Sequence, residues 1–113
     1  MRRMSFSMTA GAIRDRTKTV TRRRAGTWKT LKPGDRLMAI EKGMGLKKGE
    51  RQVELGVIEV VTVRLEPVFK VTWNEVRREG YPRMPVETFC AKLCRALGLH
   101  LGSEVRRIEF RYV

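Results

Sequence analysis

Polar and apolar positions alternate most cleanly at the end of the chain. Over Glu104–Val113, Arg106, Ile108, Phe110 and Tyr112 fall on one side, and Val105, Arg107, Glu109, Arg111 and Val113 on the other. That period predicts a half-buried strand with a charged outer face. The longest apolar run, Val53–Leu65, alternates only in part between Val57 and Val63, as a strand covered on both sides does. Gly56 inside it predicts a bulge or a close backbone approach. In Arg36–Glu41, Leu37, Ala39 and Glu41 alternate with Met38 and Ile40, which gives a third strand. Met4–Ser7 reads as a short first strand. Lys18–Arg24, a mixture of β-branched residues, hydroxyls and cations, reads as a strand carrying its own polar chemistry.

Helical spacing appears in the second half. Val86, Phe89, Cys90, Leu93, Cys94 and Leu97 recur at three- and four-residue intervals, with Pro85 at the first turn and Gly98 as the stop. Thr72 and Glu75 form a capping-box pair for a shorter helix ending near Gly80. Thr9 is a candidate N-cap for a brief helix over Ala10–Arg16. The stretch Lys32-Pro33-Gly34-Asp35 is a turn: Pro33 presets φ, Gly34 accepts positive φ, and Asp35 can bond the local backbone. Lys42–Gln52, with three glycines and four cations, is expected to be a mobile hairpin connection, a solvated loop rather than a basic finger. The order β-α-β-β-β-α-α-β fits one α+β domain over residues 1–113, a small mixed barrel with flanking short helices. It lacks the regular strand–helix alternation of a parallel sheet.

Charge changes the picture more than composition does. The 113 residues carry 25 Lys and Arg against 12 Asp and Glu, a net +13. Residues 1–48 hold 14 of those cations and only 3 of the acids. Positive potential concentrated on one part of a small body attracts phosphate-rich partners, so nucleic acid or nucleotide is the expected contact. No apolar run reaches bilayer length and no basic amphipathic helix is evident, so a membrane partner is not expected. Arg2 and Arg3 precede a segment, Met4–Ala12, too polar for a signal sequence, which points to the cytoplasm. Cys90 and Cys94 give no disulfide framework; they share a helix face and read as small core residues, not metal ligands, with His100 in a loop. Gly43-Met44-Gly45 lacks the helix and lysine of a phosphate-cradling loop. No cofactor is implied, and the oligomeric state is not legible.

Four stretches in order, with the closing strand, carry a resemblance. They are Ser5-Phe6-Ser7, Lys18-Thr19-Val20-Thr21-Arg22-Arg23, Leu31-Lys32-Pro33-Gly34-Asp35-Arg36-Leu37, and Glu79-Gly80-Tyr81 leading into the Val86–Leu97 helix, followed by Val105–Phe110. Together they resemble the ASCH domain family of the PUA-like barrel group, most of all its small stand-alone members from phage and bacterial genomes. Lys18 and Arg23 match that family's lysine and downstream arginine. Its glycine two residues before the lysine is replaced by Arg16, at the end of the preceding helix. The resemblance implies a PUA-like β-barrel and two kinds of activity. Some relatives bind or cleave RNA. Others are amidohydrolases that deacylate N4-acylcytidine with a lysine, a threonine and a glutamate, which correspond to Lys18, Thr21 and Glu79.

Amide hydrolysis requires a nucleophile, a proton carrier and oxyanion stabilisation. Thr21 offers the hydroxyl, Lys18 a base once burial or Arg22 and Arg23 depress its pKa, and Glu79 a group to orient the lysine, relay a proton or hold an amino edge. Residues three apart on a regular strand point to opposite faces, so Lys18 must precede the strand, or a bulge must intervene, to reach Thr21. Glu79 has an ordinary alternative, pairing with Arg77 or Arg78 at its own helix end. RNA recognition asks for less: Lys18, Arg22, Arg23 and Arg24 on phosphates, extended by Lys47, Lys48 and Arg51, and one of Trp28, Trp73 and Tyr81 under a base. Trp28 and Trp73 read as core or pocket-wall residues, and Tyr81 as the cleft residue. The expectation is therefore an RNA or nucleoside site formed by Lys18, Thr21, Arg23, Glu79 and Tyr81 in a basic cleft, with hydrolysis as the alternative.

Overall fold

The computed structural model describes all residues, Met1–Val113. Its elements follow the expected order: β1 (Arg2–Ser5), α1 (Ala10–Arg14), β2 (Val20–Arg24), β3 (Arg36–Ile40), β4 (Glu54–Pro67), a 3₁₀ turn (Val68–Lys70), α2 (Trp73–Arg78), α3 (Val86–Leu97) and β5 (Glu104–Tyr112). One five-stranded sheet has the order β1-β3-β4-β5-β2 and curls into a half-barrel. Only β1 and β3 run parallel; every other pair is antiparallel. No helix is long and apolar enough to cross a membrane.

The curl has a local cause. Gly56 pairs with Ala39 while Glu54 pairs with Ile40, so Leu55 is an extra residue on β4. A second shift lies between Val60 and Thr62, where Val61 is extra against β5. Bulges of this kind bend the strand and increase its twist, and β4 needs both because a run of 14 residues would otherwise overshoot the domain. At β3's start, Pro33 and Gly34 (φ 91°) make the turn that the sequence demands, and Asp35 Oδ2 accepts from the Lys32 N–H at 3.0 Å. The sheet's two edges, β1 and β2, are bridged where Arg23 Nη2 donates to the Ser5 carbonyl at 2.8 Å, with its guanidinium 5.0 Å from the Phe6 ring centre.

Two cores result. Met4, Phe6, Ile13, Leu37, Ile58, Ile108 and Phe110 belong to the larger, which joins all the elements from β1 to β5 except β2 and the helices after β4. Val68, Val71, Val76, Phe89, Cys90 and Val105 form a second cluster where α3 covers the start of β5, with Tyr81, Leu93, Cys94 and Leu97 around it. Cys90 and Cys94 thus pack as small apolar residues.

Several boundaries and faces differ from expectation. The first strand is Arg2–Ser5 rather than Met4–Ser7, because the parallel ladder to β3 sets Met4 opposite Ala39, both fully buried. Helix α1 stops at Arg14, not Arg16, and Thr9 makes no side-chain cap. Helix α2 keeps half of its capping box: Thr72 Oγ1 accepts from the Glu75 N–H at 3.3 Å, whereas the Glu75 carboxylate turns away to two arginines. The outer face of β5 is not uniformly solvated, since Arg107 is buried beneath Glu75. Trp73 is not a core residue; it is 56% exposed.

Candidate functional site

Two helix ends meet at the seam between the cores. Past α1, the N–H of Arg16 bonds the Ile13 carbonyl and those of Thr17 and Lys18 bond the Ala12 carbonyl. This is a Schellman closure, whose first residue beyond the cap must be left-handed; Arg16 adopts φ 64° there, a conformation glycine takes freely. Past α2 the same closure recurs, the Gly80 N–H on Arg77 O and the Tyr81 N–H on Val76 O, with Gly80 at φ 104°. The two closures touch. A Cβ on Gly80 would lie 2.9 Å from the Ala12 Cβ and 3.7 Å from that of Lys18. The Thr19 N–H donates to the Arg78 carbonyl at 2.8 Å and locks the pair together.

This arrangement delivers Lys18 onto Glu79. Lys18 precedes β2, which starts at Val20, so it escapes the strand alternation that separates residues three apart. Its Nζ donates to the Glu79 carbonyl at 2.6 Å and to Glu79 Oε1 at 2.9 Å, and both side chains are almost fully buried. Glu79 therefore pairs across the seam rather than with Arg77 or Arg78. Burial holds the Lys18 amine below the ordinary lysine range, and Glu79 offsets this only in part.

Behind the pair lies an ion network. Arg22 Nη1 donates to Glu79 Oε2 at 2.8 Å, and its Nη2 to Glu66 at 2.8 Å and Glu75 at 2.6 Å. Burial works against the charge of Arg22, but Glu79 and the hydrogen bonds to its carboxylate partners raise its pKa on balance. Arg107 takes the other side of Glu75. Burial alone would raise the Glu75 carboxyl; hydrogen bonds from Arg107 and Arg22 overcome it and bring the group to about 2. The Arg22 side chain has no exposed surface, so it braces Glu79 and is closed to a phosphate.

The cleft opens on the other side of the pair, where β1 and β2 approach without joining. Its volume is about 180 Å³, below the ~300–1,000 Å³ of drug-sized sites and suited to one ring. Phe6, Tyr81, Phe89, Leu93 and Leu97 supply apolar walls; Lys18, Arg23, Glu79, Lys92, Ser5 and Ser7 supply polar groups. Tyr81 packs against Phe89 at 5.8 Å between ring centres, with Lys92 Nζ 5.8 Å from its face. Its hydroxyl is held above the usual tyrosine pKa by burial and then by Glu79.

Of the residues singled out in the sequence, Lys18, Arg23, Glu79 and Tyr81 line this cleft, and Arg22 borders it with its side chain fully buried. Thr21 is buried and not part of its lining, and its hydroxyl accepts from Arg23 Nε at 3.2 Å. Arg24, Lys47 and Lys48 are exposed and elsewhere, and Trp28 flanks the first core with Arg2 stacked 4.5 Å from its ring centre. Sequence reading missed Glu66, Glu75 and Arg107 as parts of the support, and Phe6, Lys92 and Leu93 as wall. Glu75 and Arg107 each had a complete local explanation, a cap and a strand face, which hid the long-range one.

No family model matches the sequence, and no curated protein does. Solved structures do. Protein EF3133 from Enterococcus faecalis V583, of the family DUF984, superposes with a TM-score of 0.69 at 16% identity over 92% of this chain. The chain spans 66% of that protein's length. An ASCH domain from Lactobacillus crispatus JV V101 superposes with a TM-score of 0.59 at 13% identity, over 98% of this chain and 79% of the other. Likeness at such identities is likeness of architecture, and the chain has the fold of that ASCH domain.

Proposed function

We propose that this protein recognises RNA, or a nucleoside, by drawing one base into the cleft between Tyr81 and Phe6. The observation that carries this reading is the buried Lys18–Glu79 pair at the margin of a ring-sized, aromatic-walled cavity. A base offers flat apolar faces and an edge of donors and acceptors. Phe6, Tyr81 and Leu93 suit the faces; the Lys18 amine, the Arg23 guanidinium and the Glu79 carboxylate suit the edge. The net charge of +13 favours a phosphate-bearing ligand. Anisotropy with labelled eight-nucleotide RNAs of each base, competed by free nucleosides, tests it. Lys18→Ala and Tyr81→Ala each weaken binding about tenfold, the order of one lost stack or charged contact. Wild-type affinity in both folded variants ends the proposal.

One observation favours the hydrolytic alternative. The lowered pKa of Lys18 enlarges its neutral, proton-accepting fraction near neutrality. However, the Lys18 Nζ donates to Glu79 and has no hydrogen bond with the Thr21 hydroxyl, which accepts from Arg23 Nε, so activation of Thr21 needs Lys18 to leave Glu79. Incubation with N4-acetylcytidine decides: turnover lost in Lys18→Ala and Thr21→Ala supports it, and no turnover in the wild type removes it.

A further inference from the structure

A second cavity backs onto the first. Thr17, Gly80 and Pro82 line it, whereas their chain neighbours Lys18, Glu79 and Tyr81 line the cleft already described. The same two helix ends thus form the wall between the cavities, with Gly80 against Ala12 as the point of closest contact. The second cavity is larger, about 560 Å³; of its eight lining residues Ala12 and Pro82 have apolar side chains, and Asp15, Thr17, Asn74, Arg77 and Arg78 bring polar ones. Its charged groups differ in availability. Asp15 is occupied by the Thr17 N–H and hydroxyl, and Arg78 by Thr19 and Glu109. Arg77 is exposed and stacked 4.8 Å from the centre of the Trp73 ring. Trp73 itself is 56% exposed and sits beside Asn74, a lining residue.

A lone exposed apolar side chain needs no explanation. An exposed tryptophan whose ring carries Arg77, itself a lining residue of a cavity that shares a wall with a base-sized cleft, is a more specific arrangement. The apolar cleft suits a base, and the polar cavity suits sugar and phosphate. The Trp73 face suits a second base, since stacking on an aromatic ring tolerates any sequence.

We infer that the second cavity and the Trp73–Arg77 face hold the nucleotide flanking the base bound in the cleft, which makes the ligand a single strand of RNA rather than a free nucleoside. This rests on the recognition reading above and extends it. The flanking base stacks on Trp73, and its phosphate meets Arg77.

The test compares an eight-nucleotide RNA with the matching nucleoside on the full chain. Trp73→Ala weakens the RNA about tenfold, Trp73→Phe restores most of that loss, and neither changes nucleoside affinity. Arg77→Gln flattens the dependence of RNA affinity on salt, by about 0.7 in logarithmic slope for one phosphate contact. The inference is overturned when Trp73→Ala leaves RNA binding within twofold of wild type, or when nucleoside binding falls equally. Nucleoside binding sensitive to Lys18→Ala but no RNA binding also overturns it, while leaving the cleft reading intact. Loss of both ligands' binding in the wild type removes the two together.

Discussion

Arg16 holds a backbone conformation that disfavours side-chain-bearing residues by about 1–2 kcal/mol, at φ 64° in the closure of α1. Glycine would relieve it but lose more chain entropy on folding, roughly 0.5–1 kcal/mol. Arg16→Gly should therefore stabilise the fold by a few tenths to about 1 kcal/mol in denaturant titration; a clear loss of stability would mean that the arginine's contact with Tyr112, 5.6 Å from its ring, outweighs the strain. Lys18 presents the opposite case. Breaking a buried ion pair usually destabilises by about 3–5 kcal/mol because one charge is stranded. Here Glu79 retains Arg22, and burial already disfavours the Lys18 charge. Lys18→Met should change stability by no more than about 1 kcal/mol while weakening ligand binding about tenfold, as Lys18→Ala does. The pH dependence agrees in sign. With its folded pKa below the unfolded value, Lys18 opposes folding when charged, and that opposition fades as pH rises from the folded pKa toward 10.5.

At the level of elements, the site is two helix ends held face to face, and Gly80 is the hinge of that contact. Gly80→Ala places a Cβ 2.9 Å from another Cβ at φ 104°, where an L-residue is strained in any surroundings. A loss of about 2–4 kcal/mol is expected, combining backbone strain with overpacking, and ligand affinity should fall with it as Glu79 shifts. Full binding by a destabilised Gly80→Ala would show that the closure is structural only. Much of this was legible in the sequence, for physical reasons. Pro85 and Gly98 bound α3, Pro33-Gly34 sets the turn, and period-two alternation marks β5, because each is a local rule acting within a few residues. The meeting of Lys18 with Glu79 came from motif likeness, since no periodicity relates residues 61 positions apart. What stayed hidden was the assignment of polar residues to inside or outside. Arg107 looks like any outward strand residue, and Trp73 like any core aromatic; only the path of α2 over β5 decides either.

For the molecule as a whole, the interior is electrically balanced and the surface carries the field. Lys18, Arg22 and Arg107 are paired with buried Glu79 and half-buried Glu66 and Glu75, three cations against three acids, so the net +13 lies on the other residues. Glu75 is the centre of that balance, touching Arg22 and Arg107 at once and linking α2 to β2 and β5. Its carboxyl titrates at about 2 when folded, against 4.5 in the reference state. The unfolded chain therefore binds more protons between those values, and stability falls as pH descends through that window, by about 1–2 kcal/mol from this group once solvent screening of a part-exposed carboxylate is allowed for. Glu75→Gln removes the charge at every pH and strands part of two buried arginines, so at pH 7 it should unfold with about 3–5 kcal/mol less free energy. The decisive measurement is the difference between wild type and variant in denaturant titrations at pH 7 and near pH 2.5. Acids outside the network of Arg22 and Arg107 titrate alike in both proteins and cancel in that difference, so the gap should shrink as Glu75 of the unfolded chain takes up its proton. A gap of unchanged size at low pH would show that Glu75 contributes shape rather than charge, and that the brace behind the Lys18–Glu79 pair is not electrostatic.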